Sequence, residues 1–104
     1  MNSFRLSPEA AQDLTEIFEY VAQDNWEAAE RVRVELLEAM RGLAAMPGKG
    51  HRRETLTKLA LRFWPVRSYQ IIYRWRAGQA EAGPLEIVAV LHGKRNIRRI
   101  LRTR

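Results

Sequence analysis

The chain has 104 residues with a formal net charge of +6, and 46% of them are hydrophobic and 29% charged. This composition excludes a disordered chain and is typical of one globular domain over residues 1–104, while the lack of cysteine excludes disulfides, thiol nucleophiles and Cys-based zinc sites. The longest apolar run covers only residues 87–91, and the N-terminus has no signal-peptide stretch, so we expect a cytoplasmic protein without a membrane partner.

The first half of the chain predicts a short strand followed by two helices. Residues 3–6 alternate between polar and apolar, and Ser7 then precedes a proline and a glutamate, as an N-cap does at a helix start. Apolar residues at spacings of three and four continue this helix to Val21. Asp24 and Glu27 have the spacing of a capping box and begin a second helix, which ends before Pro47. The short link between the helices indicates an antiparallel hairpin.

The second half predicts strands. Residues 47–58 have no sustained period and are interpreted as a cationic loop. Three strands follow, at residues 61–66, 69–76 and 85–91, with residues 77–84 as a hairpin connection. Pro65 favours an edge or a bulge for the first of these strands. The second is expected to be half-buried and the third, apolar on both faces, to lie centrally in the sheet.

After the last strand, residues 96–101 carry isoleucine and leucine among arginines and predict a short basic helix lying on the sheet. The whole order of elements is β-α-α-β-β-β followed by this helix. We therefore predict an α+β fold, in which a helical hairpin packs on one face of a mostly antiparallel, four-stranded sheet.

Charge is strongly polarised along the chain. Residues 1–46 carry nine acidic side chains against four arginines, whereas residues 47–104 carry fourteen Lys and Arg against three Glu. Six cations and no anion fall within the last eleven residues, namely Lys94, Arg95, Arg98, Arg99, Arg102 and Arg104. This segment indicates a surface for a polyanion or an acidic partner, with a solvated basic face as the alternative.

Few catalytic chemistries are compatible with these residues. With two histidines, no cysteine and few carboxylates in the basic half, we expect no metal site and no cofactor. Acid–base chemistry of the kind that cleaves RNA remains open, with His92, Arg62 and Glu54 as its candidate residues. The alternative for His92 is a structural role at the end of a strand.

The sequence resembles the ParE branch of the RelE/ParE toxin superfamily over nearly its whole length. The resemblance is carried by Phe4-Arg5-Leu6-Ser7-Pro8-Glu9-Ala10, Asp13-Leu14, Ile17, Pro47-Gly48, Arg62-Phe63, Tyr69 through Tyr73-Arg74, Leu85-Glu86-Ile87-Val88 and Val90-Leu91-His92-Gly93-Lys94-Arg95. It implies the toxin of a type II toxin–antitoxin pair, held inactive by a cognate antitoxin that also binds operator DNA. ParE-like toxins act on DNA gyrase, whereas RelE-like relatives cut mRNA on the ribosome.

Two positions favour the gyrase target. RelE-like nucleases have an arginine just before the apolar residues of the third strand and a proton-transferring group in the C-terminal segment. Here the first place holds Gln70, which cannot neutralise a phosphate, and the second holds Leu101, which cannot transfer a proton. We therefore expect a non-enzymatic gyrase inhibitor, with a ribosome-dependent mRNA endonuclease using His92, Arg62 and Glu54 as the alternative.

Two sets of binding residues follow from this hypothesis. The set expected to contact gyrase or its DNA is Lys94, Arg95, Arg98 and Arg99, so removing these charges should abolish growth inhibition without preventing folding. The set expected to anchor the antitoxin, with a core position as the alternative for each member, is Leu14, Phe18, Trp64 and Trp75. The antitoxin is expected to extend the sheet or to lie beside the helical hairpin.

Overall fold

The computed structural model describes residues 3–75 and 85–104, which form a sheet covered on both faces by helical elements. The elements are β1 (Phe4–Leu6), α1 (Pro8–Ala22), α2 (Trp26–Ala45), a 3-10 turn (Pro47–Lys49), β2 (His51–Arg52), β3 (Leu61–Val66), β4 (Tyr69–Arg74), β5 (Leu85–His92) and α3 (Ile97–Leu101). This order confirms the predicted α+β fold with its helical hairpin and short basic helix. The predicted connection at residues 77–84 lies outside the described residues.

Within the described residues the sheet has five strands in the order β1-β5-β4-β3-β2, so the prediction of four was wrong by one strand. All neighbouring pairs are antiparallel except β1 with β5. The additional strand, β2, has only two residues, which pair with Phe63 and Arg62 of β3. A two-residue strand has no alternation to detect, and β2 lies inside the segment interpreted as a loop.

The helix starts are set by side-chain caps. The Ser7 hydroxyl accepts from the Ala10 N–H at 3.0 Å, as the sequence predicted for α1. At α2 the cap is Asn25, whose Oδ1 accepts from the Ala28 N–H at 3.0 Å, so the expected cap at Asp24 was wrong by one residue. Asp and Asn cap about equally well, and the sequence does not determine where between them the backbone becomes helical.

Two apolar clusters lie on opposite faces of the sheet. The first joins α1 and α2 to β4 and β5, and its fully buried side chains include Leu36, Met40 and Ile71. The second joins the sheet to α3 and includes Ile72, so β4 is buried on both faces, whereas it was expected to be half-buried. Ile72 is buried because α3, although only five residues long, covers this face with Ile97 and Leu101.

The strand edges agree with the expectations for β3 and β5. Pro65 lies on β3 opposite Gln70, beyond the two positions that β2 pairs, so its missing N–H falls on the open edge. β5 lies between β1 and β4, as its apolar character on both faces predicted. Within residues 3–75 and 85–104, no helix is long and apolar enough to cross a membrane.

Candidate functional site

A cleft of about 390 Å³ lies on the face of the sheet that α3 covers, between α3 and the turn that follows β2. Its lining residues are Arg53, Leu56, Gln70, Gly93, Arg95, Asn96, Ile97 and Arg98. Two of the four residues expected to contact the target, Arg95 and Arg98, therefore line the cleft. The other two, Lys94 and Arg99, are exposed but outside the lining.

The position of α3 determines one wall of the cleft. Asn96 caps this helix, since its Oδ1 accepts from the Arg99 N–H at 3.1 Å. Burial of Ile97 and Leu101 against the sheet leaves Arg98 exposed. The Arg98 guanidinium donates through Nη2 to the backbone oxygen of Thr55 at 2.5 Å, which ties α3 to the opposite wall.

The opposite wall is the turn at residues 53–57. The Arg53 carbonyl accepts from the Leu56 N–H at 2.9 Å, and the Leu56 side chain packs against the second apolar cluster. The Arg53 guanidinium carbon lies 5.9 Å from the centre of the Phe63 ring. Arg53 was not among the expected target contacts because it lies 40 residues or more before the others; its only signal in the sequence was a cation in a loop.

A buried hydrogen-bonded tyrosine holds the start of this segment. The Tyr73 hydroxyl donates to the Pro47 carbonyl at 2.6 Å and accepts from the Gly50 N–H at 2.9 Å. Burial raises the pKa of Tyr73, which favours the neutral hydroxyl that makes both bonds. A Cβ at position 50 would lie 2.4 Å from the Tyr73 hydroxyl oxygen, so glycine is required there.

The cleft is strongly electropositive. Among the described residues that line it, three carry guanidinium groups and none carries a carboxylate or an imidazole. Within residues 3–75 and 85–104, no carboxylate lies within 4 Å of the Arg53, Arg95 or Arg98 guanidinium. These charges are therefore not neutralised by the rest of the described chain and are available to an anionic group.

Arg104 belongs to the same basic segment but has a different environment. It makes a bidentate ion pair with Asp13 of α1, with Nη1–Oδ2 and Nη2–Oδ1 distances of 2.8 and 2.9 Å, and this pair raises the pKa of Arg104. Asp13 also accepts from the Val90 N–H at 3.0 Å. β1 pairs with β5 only as far as Ile87. Beyond this residue, side chains replace the missing strand: Asp13 accepts from the β5 backbone, and Arg104 donates to the Val88 carbonyl.

The alternative catalytic residues lie apart from one another. His92 ends β5 and is paired in register with Tyr69, whereas Arg62 is paired with Tyr73, about 13 Å further along β4. The His92 Nδ1 accepts from the Lys94 N–H at 3.0 Å, and the Arg62 Nη1 donates to the Gly50 carbonyl at 2.8 Å.

The other residues considered for catalysis do not complete a catalytic site with His92 and Arg62. Glu54 is exposed in the turn after β2 and is not among the residues lining the cleft. Gln70 lines the cleft, whereas Leu101, the last residue of α3, is only 2% exposed. Within the two described stretches, no three His, Asp or Glu residues are grouped as in a metal site.

The four expected antitoxin anchors are all half-buried. Leu14, Trp64 and Trp75 pack against the first apolar cluster, which corresponds to the alternative of a core position. The Phe18 and Trp26 rings make an edge-to-face contact, with 4.8 Å between ring centres, and Trp26 is 66% exposed. Phe18 and Trp26 therefore form an aromatic surface near the link between α1 and α2, in which Phe18 was an expected antitoxin anchor and Trp26 was not.

Comparisons with known proteins agree with this architecture. A family model described as the ParE toxin of the type II toxin–antitoxin system parDE matches residues 4–97. The solved structure of the chromosomal ParDE toxin–antitoxin system from P. aeruginosa matches with a TM-score of 0.68 and 19% identity, covering 88% of this chain and 96% of that chain. No curated protein matches. The family match ends at residue 97, so the last basic residues, Arg98, Arg99, Arg102 and Arg104, lie beyond it.

Proposed function

Because the chain belongs to the ParE toxin family of type II toxin–antitoxin systems, we propose that it inhibits DNA gyrase and that a cognate antitoxin neutralises it. The inhibition is non-enzymatic and depends on cationic contacts rather than on bond cleavage. Lys94, Arg95, Arg98 and Arg99 contribute to these contacts, and Arg53 joins them from the other wall of the cleft.

The observation that supports this proposal is the composition of the cleft. Arg53, Arg95 and Arg98 provide charge and hydrogen-bond donors, but the described lining provides no group that titrates near neutral pH. Binding to an anionic target needs only such donors. Cleavage of RNA would also need a base and an acid beside the phosphate.

The antitoxin is proposed to bind away from the cleft, over the helical hairpin and the open edge of β3. Among the strands that the structure describes, none pairs with the edge of β3 beyond the two positions that β2 covers, and an extended segment could extend the sheet there. Phe18 with Trp26, and the half-buried Trp64 beside that edge, offer apolar contacts to such a segment. Operator DNA is bound through the antitoxin in this proposal.

The assignment is tested with the purified toxin in two assays, one following supercoiling by gyrase and the other following transcript cleavage on translating ribosomes. We expect supercoiling to be inhibited in proportion to toxin, transcripts to remain intact, and added antitoxin to restore supercoiling. Transcript cleavage that is lost in His92→Ala, with supercoiling unaffected, would reverse the assignment in favour of the endonuclease.

A further inference from the structure

The shape of the cleft restricts what can bind there. A volume of about 390 Å³ lies within the range of pockets that enclose a small molecule or one unit of a polymer. Guanidiniums line it from two separate parts of the chain: Arg53 in the turn after β2, and Arg95 just before α3 with Arg98 in its first turn. A group bound in the cleft would therefore meet cations from both walls.

The donors of this cleft are suited to a phosphate. A guanidinium presents a planar fork of N–H groups that matches two oxygens of one phosphate, and several guanidiniums can share the charge of such a group. Within the described part of the chain, Arg53 and Arg95 donate no side-chain hydrogen bond, and Arg98 uses only Nη2, on Thr55. Most of the donors are thus free to bind a ligand.

Neutral groups and neighbouring cations favour a nucleic-acid strand over an acidic protein segment. The Gln70 amide at the cleft can donate a hydrogen bond to a nucleobase or accept one from it. Arg99 and Arg102 are exposed on and just after α3, and Lys94 is exposed just before it. A strand that carries a phosphate at every nucleotide would meet these cations in succession, whereas acidic side chains are seldom so regularly spaced.

We propose that the cleft formed by Arg53, Arg95 and Arg98 binds a phosphodiester of a nucleic-acid strand, with Lys94, Arg99 and Arg102 contacting the neighbouring phosphates. The biological setting rests on the proposed function, since the strand is then the DNA held by gyrase. The binding itself is a property of this chain and can be measured without gyrase.

The test measures the fluorescence anisotropy of a labelled single-stranded oligonucleotide and of the corresponding duplex, over a series of salt concentrations. The cleft variant is Arg53→Gln with Arg95→Gln. The matched control is Arg31→Gln with Arg41→Gln, which removes the same charge from exposed positions of α2. Thermal unfolding of all three proteins verifies that the variants are folded.

We expect the cleft variant to bind at least about tenfold more weakly than the wild type, and the control to differ by less than about twofold. The slope of log K against log salt should fall by about one for each cleft arginine removed and stay unchanged in the control. Tighter binding of the single strand would assign an unpaired strand to the cleft, and tighter binding of the duplex would assign a duplex backbone; both support the proposal.

Equal weakening of the control and the cleft variant would overturn the inference, because binding would then reflect net charge alone. Competition by polyglutamate as effective as that by unlabelled oligonucleotide would overturn it in favour of an acidic protein partner. Inhibition of gyrase without oligonucleotide binding would reject this inference but retain the proposed function. Cleft-dependent oligonucleotide binding without inhibition of gyrase would retain this inference but reject the proposed function.

Discussion

Arg98 and Arg104 belong to the same basic segment, six residues apart, but their surroundings differ completely. Arg98 is exposed at the cleft and, among residues 3–75 and 85–104, its side chain donates only to a backbone carbonyl, whereas the Arg104 side chain is 13% exposed and makes a bidentate pair with the buried Asp13. The first has donors left for a partner, and the second has its charge neutralised inside the fold. Two arginines that are close in the sequence therefore have different roles, and the groups that each one contacts in the folded chain determine its role.

The difference arises from the path of the chain. After α3 packs on one face of the sheet, the C-terminal residues pass the β5 edge and Arg104 reaches α1 on the other face. The Val90 N–H at this edge needs an acceptor because β1 has already ended, and Asp13 provides one. A carboxylate that is only 5% exposed in turn needs a cation, which Arg104 supplies.

The largest predicted effect is on stability and distinguishes Arg104 from an exposed arginine of the same basic segment. Arg104→Leu leaves the Asp13 carboxylate buried without its counter-charge, so the free energy of unfolding should fall by about 3–5 kcal/mol. Urea denaturation monitored by circular dichroism measures this loss. Arg102→Leu, at an exposed neighbouring position, is the matched control and should change stability little. Equal losses in the two variants would contradict the structural role of Arg104.

A second variant checks the cause of that loss. Asp13→Asn in the Arg104→Leu background removes the unpaired charge and keeps an oxygen that can accept from the Val90 N–H. The double variant should therefore be more stable than Arg104→Leu alone, as a double-mutant cycle would show. A double variant no more stable than Arg104→Leu alone would show that the unpaired charge of Asp13 is not the cause of the loss.

The next effect concerns the opposite wall of the cleft. Gly50→Ala forces a Cβ into the Tyr73 hydroxyl and should lower the free energy of unfolding by about 1–3 kcal/mol. Gly48→Ala is the control, since a Cβ there would lie 3.7 Å from the Trp75 ring, an ordinary contact. Because Gly50 precedes the turn that carries Arg53, the same variant should weaken binding at the cleft. Equal stability of both alanine variants would contradict this account.

A smaller effect is expected at alkaline pH. Burial raises the pKa of Tyr73 above its ordinary value of 10.0, so the folded chain retains a proton that the unfolded chain releases. This contribution is complete below pH 10.0 and is lost as the pH rises through the folded-state pKa. Tyr73→Phe should be less stable at neutral pH but lose less stability between neutral pH and pH 11. Parallel pH profiles for the two proteins would exclude Tyr73 as the source.

The smallest effect should come from an exposed ion pair. Arg67 donates from Nε to Glu35 Oε1 and Oε2 at 3.1 and 3.0 Å, but about half of each side chain is exposed. Glu35→Gln should leave the urea midpoint almost unchanged, because water competes for both charges. A loss as large as that of Arg104→Leu would show that burial does not distinguish the two pairs.

Most of the fold followed from local patterns. Ser7 before Pro8 predicted the start of α1, and alternation predicted the strands, because caps and periodicity are properties of neighbouring residues. The two-residue β2 and the burial of Ile72 did not follow, since both depend on partners distant in the chain. Pairing between distant segments leaves no local pattern in a single sequence.

The candidate site was predicted from the sequence less completely than the fold was. Arg95 and Arg98 were singled out by the density of charge, and their role in target binding stays a prediction. Arg53 was missed as their neighbour because only the folded chain brings the turn after β2 to α3. Arg104 was counted with the other cations of the basic segment, because a sequence does not reveal that Asp13 lies opposite it.

The most direct test of the central claim, that the cleft cations hold the target, is inhibition of gyrase supercoiling titrated with three proteins: the wild type, the Arg53→Gln/Arg95→Gln variant and the Arg31→Gln/Arg41→Gln control. The cleft variant, verified as folded and still bound by antitoxin, should need at least about tenfold more protein for half-inhibition, while the control should match the wild type. Inhibition by the cleft variant at wild-type concentrations would contradict the account.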